Sequence, residues 1–456
     1  MRRWLWGLWL VAASSSASTA ALAQSPARVT PERYRLENGL DVILEERHDS
    51  PRVAVLLRYH VGARDQVEGY TGLAHLTEHL MFSWSRHAPR SMDFLASIGA
   101  VESNAVTTLD ATEYFEVVHP AMLERTLAFE SDRMGFLLDH LGAAQLERER
   151  RVVLRERVER AASWVVPELG RAMLQELYGP SHAYRSMIER AEDIQAISLD
   201  NVRWFHQRWY VPSNATLVVV GDFDRALARR WTQRYFGGLA RVARPTRESA
   251  QWELRSSERR VVAFAPVLYD HVVMVYPTPP LYAQDDAELD LIASALTGHD
   301  DARITAALGE RRLASAVSAR QTSMQLASYF TIRAVANRQV TADQLRAACD
   351  EQIERLRSAP IDQRELDELR AMWVLGMRRS NETVLGRAIN LSDYSAWSDA
   401  ADSFDRDVQR YVAVTPASLR RAAVRWLRSE RRVVGRVRRG MTTSVLDDSA
   451  QPGGAQ

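Results

Sequence analysis

The sequence predicts an α+β protein built as two similar modules in tandem. Three observations carry this expectation. With residues 1–23 set aside, about 430 residues remain, too many for one ordinary hydrophobic core. Strand-like runs alternate with amphipathic helical runs over residues 24–239, and the same pattern restarts over residues 259–441. Between them, residues 240–258 (ARVARPTRESAQWELRSSE) are polar, have no period and read as a linker.

The chain opens with Met1-Arg2-Arg3, an apolar run from Trp4 to Ala13, and small residues ending Ala21-Leu22-Ala23. This is the pattern of a cleavable secretory signal over residues 1–23. The apolar run is short for a bilayer span, and no later stretch reads as one. The expected location is the periplasm, or outside the cell altogether.

Two strands follow, over 40–44 and 53–60, the first introduced by the turn Asn38-Gly39. A helix starts after the turn Gly69-Tyr70-Thr71-Gly72, and a short one runs from Met92 to Ile98. Strands are expected over 100–106 and 113–118, joined by a polar turn. Pro120 opens an amphipathic helix to Leu138, and an Arg- and Glu-rich helix covers 145–162. Helices over 167–177 and 199–209, a strand over 215–220 and a helix over 225–236 complete the first module. The second module repeats the scheme, with strands at 260–265 and 272–276 and a strand pair within 314–335. Its helices are expected at 285–296, with a further one before the strand pair, and at 342–357, 362–379 and 416–427, and a last strand at 432–437. Residues 442–456 (TTSVLDDSAQPGGAQ) are small and polar and read as a disordered tail.

The formal net charge is +1, which leaves no global case for nucleic acid as a partner. Every Lys/Arg-type cation is an arginine, so guanidinium–carboxylate pairs should dominate the surface. The single cysteine, Cys349, excludes an internal disulfide.

The chemistry is concentrated in His75-Leu76-Thr77-Glu78-His79, within GLAHLTEHLMF. Residues i and i+4 share a helix face, so His75 and His79 can grip one metal ion. Glu78 reaches a metal-bound water without being a ligand, the arrangement for metal-assisted hydrolysis with a general base. The order is the inverse of the commoner H-E-x-x-H and is itself a zinc-hydrolase signature. Taken alone, the motif could also be a surface helix with two histidines and a glutamate. A third ligand is needed, usually a carboxylate. The Glu-rich helix offers Glu147, Glu149, Glu156 and Glu159, and the residues alone do not choose among them.

Four segments taken together, GLAHLTEHLMF, GAVESNAVTTLDATEYFEV, LERERRVVLRERVE and YVPSNATLVVVGDFD, resemble the insulinase/pitrilysin (M16) zinc metallopeptidases. That group includes the mitochondrial processing peptidase, whose catalytic subunit the chain resembles, and many short bacterial members. The likeness covers nearly all of the chain beyond the signal and implies two tandem α/β-sandwich modules, only the first bearing the metal motif. In the family pattern E-R-x-V-V-x-x-E, the second glutamate is the ligand. The resemblance thus implies Zn²⁺, one per chain, on His75, His79 and Glu156, with Glu149 as a supporting carboxylate that orients a ligand histidine. It also implies that Glu102–Thr107 is an edge strand aligning a peptide substrate, with Asn104 and Ala105 as contacts.

Two departures matter. Active single-chain relatives carry an Arg and a Tyr in the second half, in a motif like L-R-E-x-R-G-L-A-Y-S-V. Here Leu308 and Ser315 stand at those positions. A related M16 subunit is therefore expected to supply the Arg and Tyr, making a heterodimer. Phe82-Ser83-Trp84-Ser85 replaces the Gly-Thr usual after the motif. The resulting expectation is the catalytic subunit of a two-subunit exported endopeptidase acting on peptides or unfolded segments. The alternative is a non-catalytic structural or binding subunit of the same family, though such members usually lose the motif that this chain keeps.

Overall fold

The computed structural model describes residues 30–447, apart from 88–90, 161–164, 187, 248–251, 399, 401 and 442. The expected signal, residues 1–23, lies outside this range. Among the described residues, twelve strands form two sheets of six. The first sheet holds β1 (Glu32–Arg35), β2 (Asp41–Glu46), β3 (Val53–Tyr59), β4 (Glu102–Thr107), β5 (Thr112–Val118) and β6 (Ala215–Gly221). The second holds β7 (Arg259–Ala265), β8 (His271–Thr278), β9 (Ala314–Thr322), β10 (Ser328–Ala336), β11 (Val433–Arg439) and β12 (Ser444–Asp447).

The strand orders are β1-β2-β6-β3-β5-β4 and β12-β7-β11-β8-β10-β9. In each sheet one inner pair is parallel, β2 with β6 and β7 with β11, and the other pairs are antiparallel. Position by position the second sheet repeats the first, with β4 and β9 as equivalent edges. The outer position filled by β1 at the start of the first module is filled in the second by β12, from the end of the chain. β12 corrects the expectation of a disordered tail beginning at Thr442. Ser444–Asp447 pairs antiparallel with β7, where Val445 packs against the apolar layer and satisfies an otherwise open sheet edge.

The central strands are buried on both faces, as near-continuous apolar runs require. One face of the first sheet is covered by its own helices, including Leu73–Leu80 and Leu123–Phe136. The other is covered by the helix Val384–Ser395, which comes from the second half. Its Val384, Ala388 and Leu391 pack on Ile43, Ala54, Leu56, Val218 and Val220. The exchange is reciprocal. The helix Pro167–Tyr178 of the first half lays Leu169, Met173, Leu174 and Leu177 on β7, β8 and β11. Gly435 of β11 permits that approach: a Cβ there would lie 2.4 Å from the Met173 sulfur.

Helices not foreseen from the sequence are Ala191–Ala196, Val384–Ser395 and Phe404–Val412. Val384–Ser395 (VLGRAINLSDYS) interleaves Arg387, Asn390, Ser392 and Asp393 with its apolar residues, which blurs the helical period. Arg387 and Ser392 are buried. Arg387, 2% exposed, donates to the buried Glu45 carboxylate and to Asp402, and Asp393 accepts from Arg58 of β3.

Candidate metal centre

The helix Leu73–Leu80 begins at Gly72, whose φ of 94° is a left-handed conformation that disfavours a side chain. A Cβ at Gly72 would also lie 2.6 Å from Cγ1 of Ile194. Contacts around this start tie the helix to the segment 189–194. Thr71 Oγ1 donates to Asp193 Oδ2 at 2.6 Å, and the Arg190 amide donates to Thr71 Oγ1 at 2.9 Å. Nearly every residue of the helix is buried, including His75 and Glu78, while His79 remains partly open.

The helix Ala143–Arg160 packs against Leu73–Leu80 and carries Glu149 and Glu156 two turns apart on one side. The same helix is fixed by Arg150 and Arg157. Arg150 Nε donates to the Ile194 carbonyl at 3.1 Å, and Arg157 Nε to the Glu189 carbonyl at 2.9 Å.

These elements bring His75, His79 and Glu156 together. The His75 and His79 Nε2 atoms are 3.2 Å apart, and Glu156 Oε2 lies 3.4 and 3.5 Å from them. Donors at about 2.0–2.2 Å from a tetrahedral zinc ion stand about 3.3–3.5 Å from one another, so the triangle is the size zinc demands. His75 is sealed, whereas Glu156 is about one third exposed, which leaves a side of the triangle open for water or substrate.

Each histidine has a carboxylate behind it. Glu149 Oε2 lies 3.6 Å from His79 Nδ1. Burial raises the Glu149 carboxyl, but the His79 ring and Arg148 beside it outweigh that and hold it below its ordinary value. Glu189 Oε1 lies 3.0 Å from His75 Nδ1. Sequence reasoning missed Glu189, which belongs to no motif and stands in an irregular stretch over a hundred residues beyond the histidine.

Glu78 is buried, and its Oε2 has no hydrogen-bond partner among the described residues. Such an atom is costly unless it meets water or a ligand. The Tyr114 and Tyr210 phenols stay protonated beside it. Burial first, with the Glu78 charge a lesser contributor, pushes both above their usual range.

β4 is an edge strand, hydrogen-bonded to β5 alone among the described residues, and the motif helix packs against it. The Ala105 amide donates to Asn104 Oδ1 at 2.9 Å, so this N–H points away from β5 toward the open edge. Asn104 is exposed and Ala105 buried. In the second half, Leu308 is 1% exposed and forms part of the core, and Ser315 is exposed on β9.

Known proteins share both halves. Residues 41–184 match the family described as insulinase (peptidase family M16), and residues 196–372 match the one described as the peptidase M16 inactive domain. The zinc protease PqqE of Helicobacter pylori is 29% identical over 348 residues, 74% of this chain and 77% of PqqE. The probable zinc protease PqqL of Escherichia coli is 30% identical over 217 residues, 45% of this chain but only 22% of PqqL. A solved protease from Helicobacter pylori has a TM-score of 0.83 at 26% identity, covering 90% of this chain and 100% of that one. The solved periplasmic protease PqqL shares the fold at a TM-score of 0.72 and 19% identity, over 92% of this chain and 48% of that one. The two family matches together take in well over half of the residues, and the chain belongs to the insulinase (M16) peptidase family.

Proposed function

We propose that the chain is an exported zinc-dependent endopeptidase that hydrolyses peptides or unfolded segments, and that it is the catalytic subunit of a two-subunit enzyme. The observation that carries this reading is the triangle of His75, His79 and Glu156 with Glu78 beside it. His75, His79 and Glu156 would hold the ion, with Glu149 and Glu189 orienting the two imidazoles. Zinc supplies Lewis acidity there, polarising a scissile carbonyl and making water a nucleophile near neutral pH.

The chain's own groups do the rest. Glu78 accepts a proton from the attacking water, and the same carboxyl then donates it to the departing amine. Water adds its oxygen to the carbonyl carbon, the C–N bond breaks, and the products are a carboxylate and an amine. The open edge of β4 binds the peptide as an added strand, with the Ala105 N–H released from Asn104 to a substrate carbonyl. Export is supported by the leading segment Met1–Ala23 and by the periplasmic relative PqqL.

The two-subunit reading rests on the second half. A buried Leu308 supplies no guanidinium, and Ser315 supplies no phenol. Removing one such donor to the developing oxyanion costs about 10²–10³ in rate.

The test is hydrolysis of a quenched peptide library by the mature chain with zinc, alone and mixed with a related M16 subunit. Activity is expected only in the mixture, and Glu78→Gln should abolish it while zinc content stays at one per chain. Full activity from the monomeric chain alone would refute the two-subunit reading. No activity in any mixture, despite bound zinc, would favour the non-catalytic subunit instead.

A further inference from the structure

Among the described residues, three arginines whose side chains form no ion pair, Arg35, Arg241 and Arg244, line one cavity. Its volume is about 710 Å³, within the ~300–1,000 Å³ span of small-molecule sites. It opens where three stretches meet: the β1–β2 turn, residues 241–244 after the first half, and residues 395–398 at the end of the exchanged helix. None of the metal-centre residues lines it.

The side chains of Arg35, Arg241 and Arg244 line the cavity, all three residues are exposed, and none of these side chains forms a hydrogen bond or ion pair with a described residue. Their neighbours are held firmly. Arg33, on the same wall, donates to Asp41 Oδ2 at 2.9 Å and to the Ser398 carbonyl at 2.6 Å. Arg247, three residues past Arg244, donates to Asp65 Oδ1 at 2.6 Å and lies 4.9 Å from the Trp209 ring centre. The neighbouring wall is thus fixed, and the three exposed guanidiniums beside it are free to turn onto a ligand.

The charges are also crowded. Burial, then the charges of Arg247 and Arg35, hold the Arg244 guanidinium below its usual range. The lining holds two carboxylates, Glu37 and Asp41, and Asp41 is committed to Arg33. His60 adds no charge: burial and the surrounding arginines push its imidazole far below the usual range. An oxyanion would relieve this repulsion, and guanidinium forks match phosphate and carboxylate oxygens in pairs.

We propose that this cavity binds a small multivalent oxyanion, a ligand bearing phosphate or several carboxylates, and that the bound anion ties the first sheet to the second half. This is independent of the peptidase reading.

The test is titration calorimetry and thermal melting of the full mature chain with inorganic phosphate and with citrate, at constant ionic strength set by chloride. Saturable binding is expected with a Kd below about 1 mM, together with a melting temperature that rises with ligand concentration. The Arg241→Ala/Arg244→Ala variant should weaken Kd at least ~10-fold. Its ligand-free melting temperature and zinc content should not fall, because neither side chain holds the fold. Binding of phosphate alone would support a phosphate-bearing ligand, binding of citrate alone a polycarboxylate, and binding of both a general oxyanion site. The proposal is overturned if neither anion saturates, or if the double variant binds them as tightly as the parent chain.

Discussion

Both ring nitrogens of His75 are engaged, and this decides what Glu189 does. Nε2 faces His79 and Glu156, while Nδ1 faces Glu189 Oε1 at 3.0 Å. A carboxylate at Nδ1 keeps the proton on that nitrogen and leaves Nε2 with its lone pair for a metal. Glu189→Gln should therefore lower zinc affinity about 10–100-fold, read by competition with a chromogenic chelator, with the far-UV spectrum unchanged. Unaltered zinc affinity in that variant would sink the assignment. His75, Glu78 and His79 were legible because one helical turn fixes their relation. Glu149 and Glu156 stood out among four candidates only through the family resemblance, since the helix period alone places several glutamates near one another. Glu189 was not legible because its position depends on Thr71, Asp193 and Gly72 closing a distant segment onto the motif helix. No local pattern encodes that closure.

At the scale of elements, long and strongly periodic pieces were readable and the crossovers were not. The expected strands over 53–60 and 215–220 correspond to β3 and β6, whose apolar runs are continuous. The helix Val384–Ser395 escaped notice because its interior contains charged groups that are paired across the halves. Arg387 is the clearest case. Its guanidinium donates to Glu45, 3% exposed, from Nε at 3.0 and 2.9 Å to the two carboxylate oxygens and from Nη2 at 2.6 Å to Oε2. Arg387→Ala would leave the Glu45 carboxylate buried without that partner, a loss of about 3–5 kcal/mol for breaking a buried pair. Urea unfolding should show this as a lowered midpoint at an unchanged slope. A change under about 1 kcal/mol would mean that water replaces the guanidinium and that the pair does not hold the helix.

The exchanged helices set the behaviour of the whole molecule. Each sheet has one face covered by its own half and one face covered by the other. A chain cut within residues 248–251 would separate these covers. The first half alone would then bare Ile43, Ala54, Leu56, Val117, Val218 and Val220 on one sheet face. A contiguous apolar face of this kind promotes association with other chains. Its own helix Pro167–Tyr178 would lose the apolar surface of β7, β8 and β11 at the same time. Residues 24–247 expressed alone should therefore aggregate, or stay soluble only as a species that binds a hydrophobic dye and melts without cooperativity. Co-expressed with residues 252–456, the same fragment should form a soluble one-to-one complex that binds zinc. The metal ligands all lie in the first fragment, yet the second would be required to hold them in register. A monomeric, cooperatively folding, zinc-binding first fragment would show that the exchanged helix is dispensable. Adding the segment 381–398 as a peptide separates the two outcomes further: it should rescue solubility if covering the sheet is what the second half provides.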